Sequence, residues 1–216
     1  MDEPLVDRYR AVVFDMDGLL LDTETLWHQA EIELFRRHGA EFTFEDKLAI
    51  MGTTAEFTAR FYADRLDRSH EEGVALFEEM RQIMLGLLQI QVEGRPGAIE
   101  LVERLRGQVR LALASNSGRA IVDTALAAAH LADAFDVIVT ADDVAEGKPA
   151  PDIYLLACKR LGVAPGDSIA LEDTAAGIAA AKAAGLTCIA VPQFAETDVS
   201  EADRVIDSLE ELLAEV

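Results

Sequence analysis

A doubly wound α/β fold with an inserted helical lobe is expected from three features of this chain. Short apolar runs recur, helical patterns separate the later ones, and polar residues follow four of the runs directly. The runs cover residues 11–14, 111–114, 137–139, 168–171 and 188–191, each of strand length and apolar on both faces. Strands apolar on both faces imply a parallel sheet covered by helices on either side. Between them, residues 97–106 place Ile99, Leu101, Val102 and Leu105 at helical spacing behind Pro96. SGRAIVDTALAAAHL, PDIYLLACKRLG and TAAGIAAAKAAG continue the alternation, the last two stopping at Gly162 and Gly185.

Residues 22–93 interrupt this order with several helical patterns and no strand candidate. Leu26, Ala30, Leu34 and Phe35 form one stripe that ends at Gly39, and a second includes Phe57 and Phe61. Ser69-His70-Glu71-Glu72 reads as a capping box, followed by Val74, Phe77, Met80, Ile83, Met84, Leu87 and Leu88. The segment is too long for a plain connection, so a helical lobe over 22–93 is expected beside a core formed by 1–21 and 94–216.

A chain of 216 residues can hold one sizeable core with such an insertion. No apolar stretch reaches the roughly 18 to 20 residues of a membrane span. MDEPLVDRYR has neither the basic flank nor the apolar core of a signal peptide, and a cytoplasmic location is expected. Cys158 and Cys188, far apart and without a histidine companion, read as reduced core residues. Forty acidic against nineteen basic side chains give a formal charge of -21, which repels nucleic acid and anionic membranes. Neither is expected as a partner, and a monomer is expected.

Ligands of an open parallel sheet bind beyond the carboxyl ends of its strands. Asp15 and Asp17 lie just past 11–14, Ser115-Asn116-Ser117 past 111–114, and Glu172-Asp173 past 168–171. After 137–139 the chain passes Asp142 and Asp143 to Gly147-Lys148-Pro149. Singly, these are ordinary turn, cap and surface residues. Together they have complementary chemistry. Gathered carboxylates repel unless a cation neutralises them, and an all-oxygen acidic set suits Mg2+. A hydroxyl and an ammonium group suit phosphate oxygens. Gly18 permits a tight turn next to the ligand, and Leu19-Leu20-Leu21 tucks beneath it before Asp22 caps the first helix of the lobe.

In order and spacing, DMDG at 15–18, Ser115-Asn116, Lys148 in GKPAPD and Glu172-Asp173 in LEDTAAG resemble the four motifs of the haloacid dehalogenase-like superfamily. The chain is most similar to its β-phosphoglucomutase-like branch of sugar-phosphate phosphatases and mutases. The resemblance implies a Rossmann-like core with an α-helical cap, and a Mg2+-dependent phosphatase acting on a small phosphomonoester such as a sugar or sugar-alcohol phosphate. It implies Asp15 as nucleophile and site of an aspartyl-phosphate, with Asp17 as general acid and then general base. Mg2+ would sit on the carboxylates of Asp15 and Asp173 and the backbone carbonyl of Asp17, with Glu172 in support. Ser115, Asn116 through its backbone N–H, and Lys148 would bind the phosphoryl group.

Within that branch, the mutases carry a histidine, an arginine and a lysine in the cap. Here Trp27 and Ala55 occupy the first two matching positions, with His28 one residue late and no lysine in the cap after Lys47. DMDGLLLDTETLW looks instead like phosphatases of hexose, deoxyhexose or hexitol phosphates, with Trp27, Thr53 and Thr54 as candidate substrate contacts, Trp27 equally able to be a core residue of the cap and the two threonines equally able to cap a helix. Arg60 and Arg65 read as solvated helix residues. A phosphomutase is the alternative. A phospho-accepting signalling module is a remoter one, which would lack both the 22–93 insertion and a proton role for Asp17. Asp17 and Asp173 argue against a dehalogenase, and Lys47 is the only cap lysine that could serve a phosphonate hydrolase. Gly94 and Gly97 are expected to give freedom to a hinge.

Overall fold

The structure, a computed structural model, describes residues 4–50 and 53–216. The chain divides into two compact units, one made of Met1–Asp22 with Glu93–Val216 and the other of Thr23–Val92.

Among the described residues the first unit carries six strands: β1 (Ala11–Phe14), β2 (Arg110–Ser115), β3 (Val137–Thr140), β4 (Ser168–Glu172), β5 (Thr187–Ala190) and β6 (Arg204–Val205). They form one sheet in the order β3-β2-β1-β4-β5-β6, and every pairing is parallel. The last strand, two exposed residues, gave no apolar run and was not expected from the pattern. The same unit holds helices α1 (Leu5–Arg8), α6 (Ala98–Leu105), α7 (Arg119–Ala128), α8 (Asp152–Leu161) and α9 (Ala175–Ala184), with a 3-10 helix at Leu209–Glu215. Ala11 and Val13 pack with Ala112, Ala114, Val139 and Ala170 against Ile153, Ala157, Ile178 and Ala181 of α8 and α9. The alternate residues Val12, Phe14, Leu111 and Leu113 are just as buried, so the sheet is covered on both faces.

Strand order reverses beside β1, which lies between β2 and β4. Phe14 is in register with Leu113 and with Leu171, so Asp15, Ser115 and Glu172 emerge at one edge of the sheet. This is the topological switch point, where open α/β sheets bind ligands. Cys158 and Cys188 are buried free thiols.

Gly94 and Gly97 are packed rather than loose. A Cβ at Gly94 would come within 2.6 Å of Ile99 Cγ1, and one at Gly97 within 2.5 Å of the Glu210 nitrogen. Gly97 also has φ of 77°, so this position needs glycine on two grounds.

The second unit holds α2 (Glu24–Arg37), α3 (Phe44–Ile50), α4 (Ala55–Arg65) and α5 (His70–Ile90). Leu26, Ala30, Leu34 and Phe35 form the buried stripe of α2. The buried face of α5 is Gly73, Leu76, Met80, Met84 and Leu88, while Val74 is exposed. On α4 the buried residues are Thr58, Ala59, Tyr62 and Ala63, and Phe57 points outward. Both stripes are thus rotated from the expected ones, because Gly73 sits against α4: a Cβ there would lie 2.4 Å from the Ala59 carbonyl oxygen. Ser69 makes the expected capping box with Glu72. Thr23, not Asp22, is the cap residue of α2, and Thr54 accepts from the Phe57 N–H to cap α4. Gly52, the turn glycine of the lobe, lies outside the described residues. Among the described residues no helix is long and apolar enough to cross a membrane.

Candidate active site

The edge above β1, β2 and β4 concentrates the charged residues of the motifs. Asp15 follows β1 directly, and its N–H donates to the Leu171 carbonyl at 3.0 Å, which fixes where the side chain starts. Gly18, with φ of 84°, turns the chain back, and its N–H donates to Leu21 O at 2.9 Å. A Cβ on Gly18 would lie 2.3 Å from Asp173 Oδ2, so only glycine lets this turn approach the second carboxylate. Leu19, Leu20 and Leu21 are buried beneath the turn.

Asp15, Glu172 and Asp173 are buried, and one carboxylate oxygen from each lies within 4.8 Å of the others. Lys148, also buried, donates to Asp15 Oδ1 at 2.5 Å and to Glu172 Oε1 at 2.6 Å. Burial would lower the Lys148 pKa, but the two carboxylates outweigh it and hold it above its ordinary value. Lys148 therefore stays an ammonium. For Asp15, burial pushes the carboxyl up to about 8, Lys148 offsets only part, and Glu172 and Asp17 add to the rise. Three buried carboxylates around one ammonium thus ask for more positive charge. The donor set is all oxygen, and Glu172 Oε2 has no hydrogen-bond partner among the described residues. Such a site fits a hard divalent cation.

Asp17 belongs to a different part of the site. Its Oδ2 accepts from Ser115 Oγ at 3.0 Å and from Ser117 Oγ at 2.8 Å, while the Ser117 N–H donates to Ser115 Oγ. Two carboxylates two residues apart thus occupy unlike surroundings, one facing an ammonium and the other facing hydroxyls. Ser117 adds a hydroxyl that the motif reading did not assign.

Asn116 is exposed, and its side chain holds the lysine loop. Oδ1 accepts from the Lys148 N–H at 2.8 Å and Nδ2 donates to the Lys148 carbonyl at 3.1 Å, so both backbone groups of Lys148 are fixed by one amide. Gly147 makes room for this clamp, since a Cβ there would lie 2.6 Å from Asn116 Oδ1. The Lys148–Pro149 peptide is cis. The approach to the loop is tied down by Asp143, which accepts from the Thr140 N–H, Arg119 and Arg160. Tyr154 lies on α8, within the apolar pattern of PDIYLLACKRLG. It is fully buried and its hydroxyl donates to Glu172 Oε1. Gly177, at the start of α9, packs on the same carboxylate, where a Cβ would lie 1.9 Å from Oε2.

In the second unit, Trp27 is half-buried on α2 and Thr53 is exposed, its hydroxyl donating to the Ile50 carbonyl at 2.7 Å. Lys47 pairs with Glu24 at 3.2 Å and Glu31 at 3.3 Å. His28 stands 3.9 Å from Glu31. Arg60 makes the exposed pair with Glu56 expected of a helix surface. Arg65 is exposed, as expected, but it is also paired. It forks onto Asp46 at 2.6 and 2.8 Å, and this guanidinium holds the Asp46 carboxyl down at about 2.

Residues 9–185 match the family model described as haloacid dehalogenase-like hydrolase. The chain belongs to the haloacid dehalogenase-like hydrolases. Fructose-1-phosphate phosphatase YqaB of Escherichia coli (strain K12) is 33% identical over 187 residues, covering 87% of this chain and 98% of that protein. Among solved structures, CbbY from Rhodobacter sphaeroides in complex with phosphate superimposes with a TM-score of 0.85 at 34% identity, over 96% of this chain and 98% of that one. β-Phosphoglucomutase from Clostridium difficile gives 0.79 at 26% identity, over 94% and 93%. The fold of this chain is that of its haloacid dehalogenase-like neighbours, and the chain is an enzyme of the phosphoric monoester hydrolase class.

Proposed function

We propose that this enzyme is a Mg2+-dependent phosphatase of a small sugar or sugar-alcohol phosphate, working through an aspartyl-phosphate on Asp15. The observation that carries the reading is the split between the two aspartates: Asp15 lies with Lys148, Glu172 and Asp173, whereas Asp17 is held by Ser115 and Ser117. One carboxylate is suited to attack phosphorus, and the other to carry a proton.

Asp15 Oδ forms the new bond to phosphorus as the substrate alkoxide leaves, and Asp17 supplies the proton that the alkoxide takes. Asp17 then accepts a proton from the water that attacks the aspartyl-phosphate, releasing inorganic phosphate and restoring Asp15. Ser115, the backbone N–H of Asn116 and Lys148 bind the phosphoryl oxygens, and the Asn116 side chain keeps Lys148 in place. Asp15, Asp173 and the backbone carbonyl of Asp17 would hold Mg2+, with Glu172 in support. The cation would reduce the repulsion between the anionic nucleophile and the anionic phosphoryl group. The helical unit is the proposed cap, and Trp27 and Thr53 are the residues whose replacement should change substrate preference.

A mutase is the second reading, favoured by the structural likeness to β-phosphoglucomutase. Trp27 and Ala55 stand against it, in positions where the mutases carry histidine and arginine. Inorganic phosphate release should be measured across hexose, hexitol and deoxyhexose phosphates, phosphoglycolate and β-glucose-1-phosphate, with Mg2+ and with chelator. Release that requires the metal supports the phosphatase. Conversion of β-glucose-1-phosphate to the 6-phosphate without release would replace it by the mutase.

A further inference from the structure

Tyr154 lies outside all four motifs, yet it reaches into their centre. It occupies the first turn of α8, and its hydroxyl and Lys148 Nζ donate to the same oxygen, Glu172 Oε1. The Lys148 ammonium also stands 5.3 Å from the centroid of the Tyr154 ring. One side chain thus restrains the carboxylate by a hydrogen bond and borders the ammonium by its ring face. On the opposite side Gly177 closes against Oε2, the oxygen with no hydrogen-bond partner among the described residues. The terminal torsion of a glutamate is broad and soft when nothing holds it. Here Tyr154 and Lys148 on Oε1 and Gly177 against Oε2 leave the carboxylate one orientation.

We propose that Tyr154 is a positioning residue, whose hydroxyl fixes the Glu172 carboxylate in the orientation that a divalent cation at Asp15 and Asp173 requires. The inference rests on the Mg2+ reading of the site given above. Phenylalanine at this position keeps the buried ring and removes only the donor. Glu172 then keeps Lys148 but loses one of the two donors that hold Oε1, and the site meets the cation less well prepared. Loss of an outer partner of a metal-binding carboxylate typically costs about 10- to 100-fold in affinity.

The test is calorimetric titration of the chelator-treated full chain with Mg2+ alone, for the wild type, Tyr154→Phe, Glu172→Gln and the double variant. Thermal unfolding in chelator checks the fold of each. Binding by the wild type and an affinity at least about 10-fold weaker in Tyr154→Phe are expected. In the Glu172→Gln background the tyrosine substitution should change affinity no further, because its effect passes through that carboxylate. Phosphate release by Tyr154→Phe should recover at saturating Mg2+, which a packing defect would not show. Equal or tighter binding by Tyr154→Phe would overturn the proposal and leave the Mg2+ reading standing. A wild type that binds no Mg2+ would overturn both. If Tyr154→Phe does not fold, Gly177→Ala, which displaces the same carboxylate from its other side, takes its place, and wild-type affinity in that variant would overturn the proposal.

Discussion

Each unit of this enzyme sets a lysine between two carboxylates, one of which accepts from a tyrosine, and the two arrangements differ in burial and in the length of these contacts. In the sheet unit Lys148 reaches Asp15 and Glu172 at 2.5 and 2.6 Å, Tyr154 donates to Glu172, and glycines press on the carboxylates. In the helical unit Lys47 reaches Glu24 and Glu31 at 3.2 and 3.3 Å, and Tyr62 donates to Glu31 at 3.5 Å. The carboxylates of the first set stand at the ends of β1 and β4, whose register is fixed by neighbouring strands on both sides. The second hangs from helices packed by apolar stripes, and its lysine side chain is 14% exposed against 4% for Lys148. The same residue types thus make a tightly held charge cluster on a rigid edge and a looser ion pair in a helical bundle.

The comparison breaks most readily at Asp15. Asp15→Asn should lower phosphate release by at least about 10^4-fold, since an amide is a poor nucleophile; Lys47→Met in the other cluster should leave a folded, active enzyme. Comparable losses in both variants would erase the distinction. Asn116→Ala removes both hydrogen bonds on the Lys148 backbone, and a drop of about 10- to 100-fold in kcat/KM is expected from a misplaced ammonium. Steady-state kinetics of the purified variant would show it. Gly177→Ala forces a methyl group onto Glu172 and should cost about 1–3 kcal/mol in denaturant unfolding, whereas Gly86→Ala, where nothing lies within 4 Å of the added carbon, should be neutral or mildly stabilising.

The smallest effect concerns Glu31. Burial lifts its carboxyl from 4.5 to about 7, Lys47 offsetting part and Glu24 adding to the rise. A carboxyl raised in the folded state favours folding most fully below 4.5, and that contribution is lost as the pH rises through about 7. Glu31→Gln does not titrate. Its melting temperature should therefore fall less than that of the wild type between acid and mildly alkaline pH, by roughly a few degrees. Parallel melting curves against pH would show that Glu31 is not the group responsible.

What could be read beforehand follows the same division. That Asp15, Ser115, Glu172 and Asp173 gather at one place was legible because apolar runs locate strand ends and a parallel sheet brings those ends to one edge, whereas Lys148, eight residues past β3, joins them only through its loop. The sheet's last strand was not, since Arg204 and Val205 are exposed and too few to show a pattern. Tyr154 was hidden because its place in α8 is also that of a core residue, and only the fold shows its hydroxyl meeting Glu172. The Asn116 side chain was hidden for a similar reason, as its partner lies 32 residues away. In the helical unit, Val74 and Phe57 were expected inside and lie outside, because close packing at Gly73 selects which face of each helix is buried. Arg65 had no visible partner until α3 and α4 brought Asp46 beside it.

The most direct measurement is rapid quenching of the enzyme during turnover of a phosphorylated sugar, followed by peptide mass spectrometry. A phosphoryl group on the peptide containing Asp15, lost once the substrate is exhausted and missing in Asp15→Asn, is expected of an aspartyl-phosphate pathway. Turnover with no phosphoryl group on Asp15, or with one carried by another residue, would contradict it.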